Sequence, residues 1–295
     1  MRIISIGEIL WDVIGEEEHL GGAPLNFAAH AKKLGHDVFF ISAVGYDERG
    51  DRALEAMAQM GLSTRFVRRV EEYATGVVTV TLDGEGQPRF VIHRPAAYDF
   101  PQLDPTDLED LLSPPPDWIY FGTLLQMSPQ ARELTSRLIT SKCGARHFYD
   151  VNLRSACYEP ALVRNLISQA TVVKLNDREV PVVDQMLGRS HRTLEHFCRD
   201  YAKCLGWEAA SVTRGSGGCV LLIGNVFVEA TGFKVKVADT IGAGDAFAAA
   251  FVHGLGSGWP AKKVADFANR VGALVASRPG ALPHWTLDEL AGLGD

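Results

Sequence analysis

Short apolar runs alternate with amphipathic stretches in the first part of the chain. Residues 2–7 are a β-branched run that ends in glycine, which indicates a buried strand, and residues 38–44 are a second apolar run. Residues 24–35 begin with proline and end with glycine, the usual first and last signals of a helix. Residues 49–60 form another helical stretch that a glycine ends. The pattern predicts strand, helix, strand, helix.

The same alternation returns further along the chain. Three apolar runs are each followed by a helical stretch; the runs are 118–121, 147–151 and 171–175, and the helices begin near Pro129, Pro160 and Asp177. Strands that alternate with helices of about 10–15 residues indicate a parallel sheet with helices on both faces. We therefore predict an α/β fold in three layers with a mostly parallel sheet.

Two segments interrupt this alternation and predict a small separate set of strands. Residues 10–20 and 75–93 contain β-favouring residues with no helix between them. The second segment holds Asp-Gly-Glu-Gly at 83–86, a hairpin signal between two strands. Inserted strands of this kind often form a flap over a ligand site, and a plain edge hairpin is the alternative. We predict lid strands at about 10–20 and 75–94.

Composition places the chain among ordinary globular proteins. Its 295 residues are 46% hydrophobic and 22% charged, which excludes disorder and coiled coil. No apolar run approaches the roughly 20 residues of a membrane helix. Acidic residues at positions 8 and 12 interrupt the apolar stretch that a signal peptide would need. The length allows two domains or one large α/β domain, and we predict a single domain over residues 1–295.

The net charge limits the class of partner, and the cysteine content indicates the cellular compartment. The chain has 29 Lys and Arg against 36 Asp and Glu, a net charge of −7. A binder of the nucleic-acid backbone needs a concentrated basic face, so this balance argues against nucleic acid as the main partner. The five cysteines form no C-x-x-C pair, which indicates free thiols in a reducing, cytoplasmic compartment and predicts no structural metal.

One glycine-rich turn carries the clearest chemical signal. Residues 239–245 (DTIGAGD) precede a run of small apolar residues that predicts a helix. Glycines just ahead of a helix leave backbone N–H groups free to converge on an anion, and the helix dipole adds positive potential. Asp245 at this place has two equally good explanations. It stabilises the helix N-terminus by about 0.3–1 kcal/mol, or it takes the proton of an attacking hydroxyl.

Other phosphate-binding motifs are missing from the sequence. The chain has no P-loop, no dinucleotide-binding fingerprint and no protein-kinase signature. A nucleotide would therefore have to use residues 242–245, which we name the anion turn.

Five motifs resemble the ribokinase-like (PfkB) carbohydrate kinases and occur in that family's order. Residues 21–28 (GGAPLNFA), with glycines at 35 and 45, look like the N-terminal signature, and residues 239–251 look like the C-terminal one. The segments at 150–154, 176–179 and 213–218 resemble the intermediate motifs. The resemblance spans nearly the whole chain. It implies a ribokinase-like fold with a small β-strand lid and an ATP-dependent sugar kinase.

The resemblance assigns the reaction centre to the anion turn. Asp245 would be the catalytic base for the sugar hydroxyl that attacks the γ-phosphoryl of ATP. Gly242, Ala243 and Gly244 would donate backbone N–H groups to the developing charge, each worth roughly 3 kcal/mol of barrier. Because the helix dipole favours the carboxylate anion, we expect Asp245 to be a weak base. Phosphoryl transfer tolerates a weak base, since positioning and charge neutralisation dominate it.

The resemblance also implies residues for Mg²⁺ and ATP. Glu179 would organise Mg²⁺ through water, next to Asn176 and Lys174 on the ATP side. The local alternative is a helix N-cap at Asn176 followed by an acidic first turn.

Further residues are implied for the nucleotide and for a monovalent cation. The nucleotide-side turn would comprise Thr213, Gly215 and Gly218, with Asn269 and Val275 near the adenine. Asp239, Ile241 and Gly280 resemble the family's K⁺ site.

Substrate-binding residues are implied at both ends of the lid segments. Asp12, Gly22 and Asn26 resemble the family's sugar-binding positions, since carboxylates and amides pair with vicinal hydroxyls. The alternatives are a solvated strand-end acid for Asp12 and an ordinary first-turn helix residue for Asn26. Arg94 and Arg154 are further candidates for contact with phosphate or substrate.

Residues 7–12 and 94–97 look most like the fructokinase branch, so fructose is the first expectation. The kinases of 2-keto-3-deoxygluconate often carry an aromatic pair and a serine where this chain has Ile92, His93 and Ala96. That sugar acid, ribose and a nucleoside stay open as alternatives. The expected partners are a small-molecule sugar and ATP, with a homodimer through the lid. A non-catalytic sugar- or nucleotide-binding regulator is the alternative from another class, although Asp245 and the glycines of the turn are all present.

Overall fold

A nine-stranded sheet forms the centre of the main body. The structure is a computed structural model, and it describes residues 1–82 and 88–293. The order of the sheet among the described residues is β13-β12-β11-β10-β9-β8-β1-β4-β5. These strands are β1 (Arg2–Ile6), β4 (Asp37–Gly45), β5 (Val67–Val70), β8 (Trp118–Gly122), β9 (Arg146–Asp150), β10 (Val172–Asn176), β11 (Ala209–Thr213), β12 (Cys219–Ile223) and β13 (Val226–Ala230). All neighbours pair in parallel except β11 with β12 and β12 with β13.

Helices cover both faces of this sheet, as the alternation predicts. They are α1 (Ala23–Lys33), α2 (Glu48–Gln59), α3 (Pro105–Leu112), α4 (Pro129–Thr140), α5 (Pro160–Gln169), α6 (Glu179–Met186), α7 (Leu194–Leu205), α8 (Ala243–Gly256), α9 (Ala261–Ala276) and α10 (Leu287–Ala291). Among the helices described, none is long and apolar enough to cross a membrane.

Two apolar cores lie on opposite sides of the sheet because successive side chains of a strand point to opposite faces. Along β8, Trp118 and Tyr120 pack with α1, α8 and α9, whereas Ile119 and Phe121 pack with α4, α5 and α7. Buried strands of this kind read as continuous apolar runs, which is why the sequence indicates them directly. The three-layer α/β prediction is confirmed.

A second sheet forms from the two segments that interrupt the alternation. Its strands are β2 (Leu10–Ile14), β3 (Glu17–Gly21), β6 (Gly76–Leu82) and β7 (Pro88–Ile92), in the order β3-β2-β6-β7. We name this sheet the lid. β6 and β7 pair antiparallel as the hairpin signal predicts, while the predicted turn at 83–86 lies outside the described residues.

Polar contacts tie the lid to α2. The Glu18 carboxylate accepts from Arg49 and from Arg52, the latter at 2.8 Å, and the indole N–H of Trp11 donates to the Arg49 carbonyl at 3.1 Å. At the N-terminus of α2, Asp47 accepts from the backbone N–H of Thr75 at 2.7 Å, one residue before β6. These contacts hold β2, β3 and the residue before β6 against α2 and its N-terminus.

Candidate active site

Two charged side chains pair near the carboxyl ends of β9 and β10. Asp150 and Lys174 are register partners in this parallel pair, and both are buried. Lys174 Nζ donates to both carboxylate oxygens of Asp150 at 2.9 Å, and the Tyr120 hydroxyl donates to Asp150 at 3.1 Å. Burial alone would lower the pKa of Lys174, but the adjacent Asp150 carboxylate raises it by more. The net shift of the pKa is upward, so the ammonium stays charged.

The anion turn lies beside this pair. A Cβ on Gly244 would be 3.8 Å from Lys174 Nζ, so the ammonium is next to the first turn of α8. Gly242 has φ +75°, a left-handed conformation that favours glycine. Among the described residues, the amides of Gly242 and Gly244 have no hydrogen-bond acceptor. Free N–H groups at a helix N-terminus next to a cation form a site for a phosphate.

Asp245 joins α8 to α1 through one hydrogen bond. The side-chain amide of Asn26 donates to Asp245 Oδ2 at 2.8 Å. Burial, reinforced by the Asp150 carboxylate, raises the pKa of Asp245 to about 6, although Asn26, Lys174 and Arg154 oppose this rise. This direction is opposite to the one expected from the helix dipole, because loss of water around the carboxylate disfavours its charged form.

The loop after β1 brings a second buried carboxylate, Glu8, to the same place, where it packs against Gly22 just before α1. Gly22 has φ +114°, and a Cβ there would be 2.3 Å from the Glu8 carbonyl oxygen, so only glycine fits. Burial raises the pKa of Glu8 to about 7, and the charges of Arg154 and Asp245 act on it. Glu8 Oε2 and Asn26 Oδ1 are buried and have no hydrogen-bond partner among the described residues. Buried acceptors of this kind normally bind a donor.

Asp12 and Arg154 face this region from two directions. Asp12 lies on the lid strand β2, and burial raises its pKa while the positive charge of Arg154 lowers it. The charge of Arg154 also lowers the pKa of Glu8 and of Asp245. Its guanidinium is exposed and has no hydrogen bond or ion pair with any residue that the structure describes. Arg154 is therefore available to a bound anion or sugar.

Arg94 is used within the protein instead. Its guanidinium donates in a bidentate manner to Asp99 and donates to the Leu124 carbonyl at 2.8 Å. The Asp99 carboxylate is almost fully buried, so this pair fixes the chain after the lid. The structure thus places Arg94 near Glu8 but leaves its donors largely occupied.

Asn176 and Glu179 form a reciprocal cap at the start of α6. Asn176 Oδ1 accepts from the backbone N–H of Glu179 at 3.0 Å, and Glu179 Oε2 accepts from the backbone N–H of Asn176 at 2.8 Å. The other Glu179 oxygen accepts from the Leu153 amide at 2.7 Å. The capping alternative is thus present in the structure, and it orients Glu179 toward the loop that carries Arg154.

The nucleotide-side candidates lie on a turn between β11 and β12. Thr213 ends β11, and Gly215 and Gly218 both have positive φ. A Cβ on Gly218 would be 2.2 Å from the Ala230 carbonyl, so this turn packs closely against the chain after β13. Asn269 on α9 holds the same chain, since its amide donates to the Thr231 carbonyl at 3.2 Å.

Val275 differs from the other nucleotide-side candidates. Its side chain has 0% exposure and lies in the core shared by α8 and α9. A contact between this side chain and an adenine is therefore not available, which corrects the expectation for Val275. A β-branched residue on the apolar stripe of a helix is explained by the core alone.

The three cation candidates come together around one carboxylate. Asp239 Oδ1 accepts from the Ile241 amide at 2.9 Å, and Asp239 Oδ2 accepts from the Gly280 amide at 3.1 Å. The chain after α9 is thereby joined to the residues before the anion turn.

Comparison with known proteins decides the family. The family model described as pfkB family carbohydrate kinase matches residues 4–286. The chain belongs to the pfkB family of carbohydrate kinases. An uncharacterized sugar kinase of Pyrococcus horikoshii is 30% identical over 308 residues, covering 98% of this chain and 94% of that protein. The crystal structure of that kinase in complex with ATP has a TM-score of 0.83, at 28% identity, over 98% of this chain and 97% of that one.

Two further relatives carry different substrates in their names. Fructokinase of Escherichia coli is 26% identical over 300 residues, covering 95% of each chain. The 2-dehydro-3-deoxygluconokinase of Thermotoga maritima has a TM-score of 0.86 at 18% identity, over 99% of both chains, which shows the shared fold alone. The pfkB kinase described here is an ATP-dependent sugar kinase with the ribokinase-like fold.

Two residues of the kinase's site have no role in the sequence-based expectations. Asp150 and Glu8 both occur in recognised segments, yet neither is predicted to act on the reaction centre. A signal exists for each: Asp150 is the last residue of β9, and Glu8 follows β1 by two residues. Acidic residues at the carboxyl ends of parallel strands face the ligand crevice of open α/β sheets.

Proposed function

We propose that this kinase transfers the γ-phosphoryl of Mg·ATP to a hydroxyl of D-fructose, with Asp245 as the catalytic base. One observation carries the proposal. Asp245 stands at the meeting point of the anion turn and the sugar-side helix α1, held there by Asn26 at 2.8 Å. Its pKa of about 6 suits a base that works near neutral pH.

The transfer itself follows from this placement. The sugar hydroxyl gives its proton to Asp245 as its oxygen bonds to the γ-phosphorus, and the bond from that phosphorus to the β,γ-bridging oxygen breaks to release ADP. The amides of Gly242 and Gly244 would donate to the equatorial oxygens, over which charge spreads, and the Ala243 amide, which donates to the Thr240 carbonyl at 3.4 Å, would have to leave that acceptor to join them. Lys174, 3.8 Å from the Cβ position of Gly244, adds positive charge next to the turn.

The site fits Mg²⁺ that arrives with ATP. Among the described residues, no three His, Cys, Asp or Glu side chains cluster to hold a metal. Each Glu179 oxygen already accepts one backbone N–H, which leaves room for a hydrogen bond to a metal-bound water. Mg²⁺ commonly keeps several waters and uses substrate phosphates as ligands, so this donor set is sufficient.

The sugar would bind between the lid and α1. Asp12 and the buried acceptors Glu8 Oε2 and Asn26 Oδ1 offer carboxylate and amide oxygens to sugar hydroxyls, and Gly22 lets the backbone come close. A sugar acid would need a basic clamp. Because Arg94 is bound to Asp99, Arg154 is the available arginine among these candidates. This balance favours a neutral sugar over 2-keto-3-deoxygluconate, and the similarity to a fructokinase agrees with it.

The remaining assignments belong to the same proposal. ATP would lie along Thr213, Gly215 and Gly218, with Asn176 and Asn269 nearby.

Asp239, Ile241 and Gly280 would surround a K⁺ ion. Replacing KCl with choline chloride tests this assignment directly. A tenfold loss of activity supports the K⁺ site, and unchanged activity contradicts it. A single catalytic domain, a homodimer through the lid and a cytoplasmic setting stay predictions.

An ADP-release assay tests the substrate. Mg·ATP and KCl are supplied with fructose, glucose, mannose, ribose, 2-keto-3-deoxygluconate, fructose 6-phosphate or adenosine. We expect the strongest response with fructose, at a kcat/KM of at least about 10⁴ M⁻¹s⁻¹. A stronger response to another compound overturns the fructose assignment. Silence across the panel, from folded protein that binds ATP, favours the non-catalytic regulator.

A further inference from the structure

The chain after α9 supports the anion turn from behind. A Cβ on Gly242 would be 2.6 Å from both the Cα and the carbonyl oxygen of Ala281, so the two backbones are in direct contact. Asp239 reinforces this contact, because its carboxylate binds the Ile241 amide on one side and the Gly280 amide on the other. The position of residues 280–281 therefore sets the position of the anion turn.

His30 holds that same segment from the sugar side. It lies on α1, one turn after Asn26, and its Nε2 is 3.1 Å from the Ala281 carbonyl oxygen. The indole N–H of Trp285 donates to His30 Nδ1 at 3.2 Å. Because an indole only donates and a carbonyl only accepts, the imidazole is neutral with its hydrogen on Nε2. Both rings are almost fully buried, and burial also lowers the pKa of His30, to about 4.

We propose that His30 is a positioning residue, which fixes the anion turn relative to the sugar-side helix through Ala281. α1 then acts on the reaction centre at two points, one direct and one through Ala281. Asn26 binds the base Asp245 directly, and His30 holds the backbone on which the anion turn rests. Small displacements of N–H donors from a transferring group cost large factors in rate, so such a support acts on kcat.

Four variants separate this role from ordinary packing. His30→Leu removes both hydrogen bonds, and Trp285→Phe removes only the indole donor. His30→Gln keeps one acceptor and one donor and is the conservative rescue. Trp207→Phe is the matched control, because its buried indole N–H also donates at 3.2 Å, to the Ile167 carbonyl, but in the core on the other face of the sheet.

Hydrogen–deuterium exchange tests the support without any sugar. The readout is the exchange of the Ile241 and Gly280 amides in the full chain, referenced to the Ile119 and Phe121 amides of β8, which report global opening. We expect about tenfold faster exchange relative to that reference in His30→Leu, about threefold in Trp285→Phe and no change in Trp207→Phe. Equal acceleration at the reference amides, or no acceleration, overturns the proposal.

Kinetics supply the second readout and rest on the proposed function. With the panel sugar that the wild type phosphorylates, His30→Leu should lower kcat about tenfold with the KM for sugar within twofold, and His30→Gln should retain kcat within threefold. A raised KM with unchanged kcat would mean that His30 affects sugar binding through α1 and does not position the anion turn, which would overturn the proposal. If the wild type phosphorylates no panel sugar, the proposed function fails, while the exchange experiment still decides the role of His30.

Discussion

At the scale of single residues, burial decides the chemistry of the site. Asp245 stands at a helix N-terminus, where the dipole stabilises its anion, yet its pKa rises to about 6 because it is buried next to Asp150. The effect of the helix dipole could be predicted from the sequence, because the glycines and the run of small residues predict that a helix begins at this position. The sequence does not show the burial, because that depends on packing between α1, α8 and β9.

The activity should therefore depend on pH through Asp245. A base must be deprotonated, so kcat/KM should fall below about pH 6, by tenfold per pH unit at the limit. Asn26→Ala removes the hydrogen bond that lowers this pKa, so the acid limb should move to higher pH. A pH profile of kcat/KM measures both. Glu8→Gln is the control: because the pKa of Glu8 is about 7, disappearance of the limb in this variant would assign it to Glu8 and contradict the account.

Gly22 offers a test of close approach on the sugar side. Gly22→Ala should lower stability by about 1–3 kcal/mol and activity by at least tenfold, because a Cβ would be 2.3 Å from the Glu8 carbonyl in a left-handed backbone. Gly144→Ala is the control, because Gly144 also has a positive φ, of +77°, but no atom lies within 4 Å of its Cβ position. Urea unfolding and the ADP-release assay of both variants compare them; equal effects would mean that the contact with Glu8 does not matter.

At the scale of elements, the order of strands and helices could be predicted from the sequence, whereas several side-chain pairings could not. The apolar runs and the Pro and Gly signals locate β1, α1, β4 and α2 to within one or two residues. The Asp150–Lys174 pair depends on the register of β9 and β10, and the Arg94–Asp99 pair on a fold of the chain after the lid. No local pattern carries that information.

The Asp150–Lys174 pair should behave as a buried ion pair. Lys174→Met leaves the Asp150 carboxylate without its cation, so we expect a loss of about 3–5 kcal/mol in the free energy of unfolding. The double variant Asp150→Asn with Lys174→Met should recover part of this loss, because no unpaired charge remains. Urea denaturation measures both variants. A double variant less stable than Lys174→Met would contradict the pairing as the cause.

At the scale of the whole molecule, the lid is the proposed cover for the sugar and the predicted contact between subunits. It is tied to α2 through Glu18, Trp11 and Asp47. On its strands Ile14 is 42% exposed and Val91 is 43% exposed, and the strand register places these two side chains on opposite faces of the lid. The resemblance to the family led us to predict a dimer here, and these two residues give that prediction one exposed apolar side chain to test on each face of the lid.

Sedimentation velocity tests the dimer. The molar mass of the wild type from sedimentation should be twice the chain's 32.1 kDa. The double variant of Ile14→Lys and Val91→Lys should sediment as a monomer, because a lysine would then lie in the interface whichever face of the lid forms it. Val226→Lys is the control, since Val226 is 57% exposed on β13 in the main sheet, and it should remain a dimer. A wild-type monomer would contradict the prediction.

The kinetics of Asp245→Asn test the central claim most directly. Asparagine keeps the size of the side chain and can still pair with Asn26, but it cannot take a proton from the sugar hydroxyl. We predict that kcat with the active sugar falls at least about 10²-fold while the affinity for ATP, measured by calorimetry, changes little. A variant that phosphorylates sugar within twofold of the wild type would show that Asp245 is not the base.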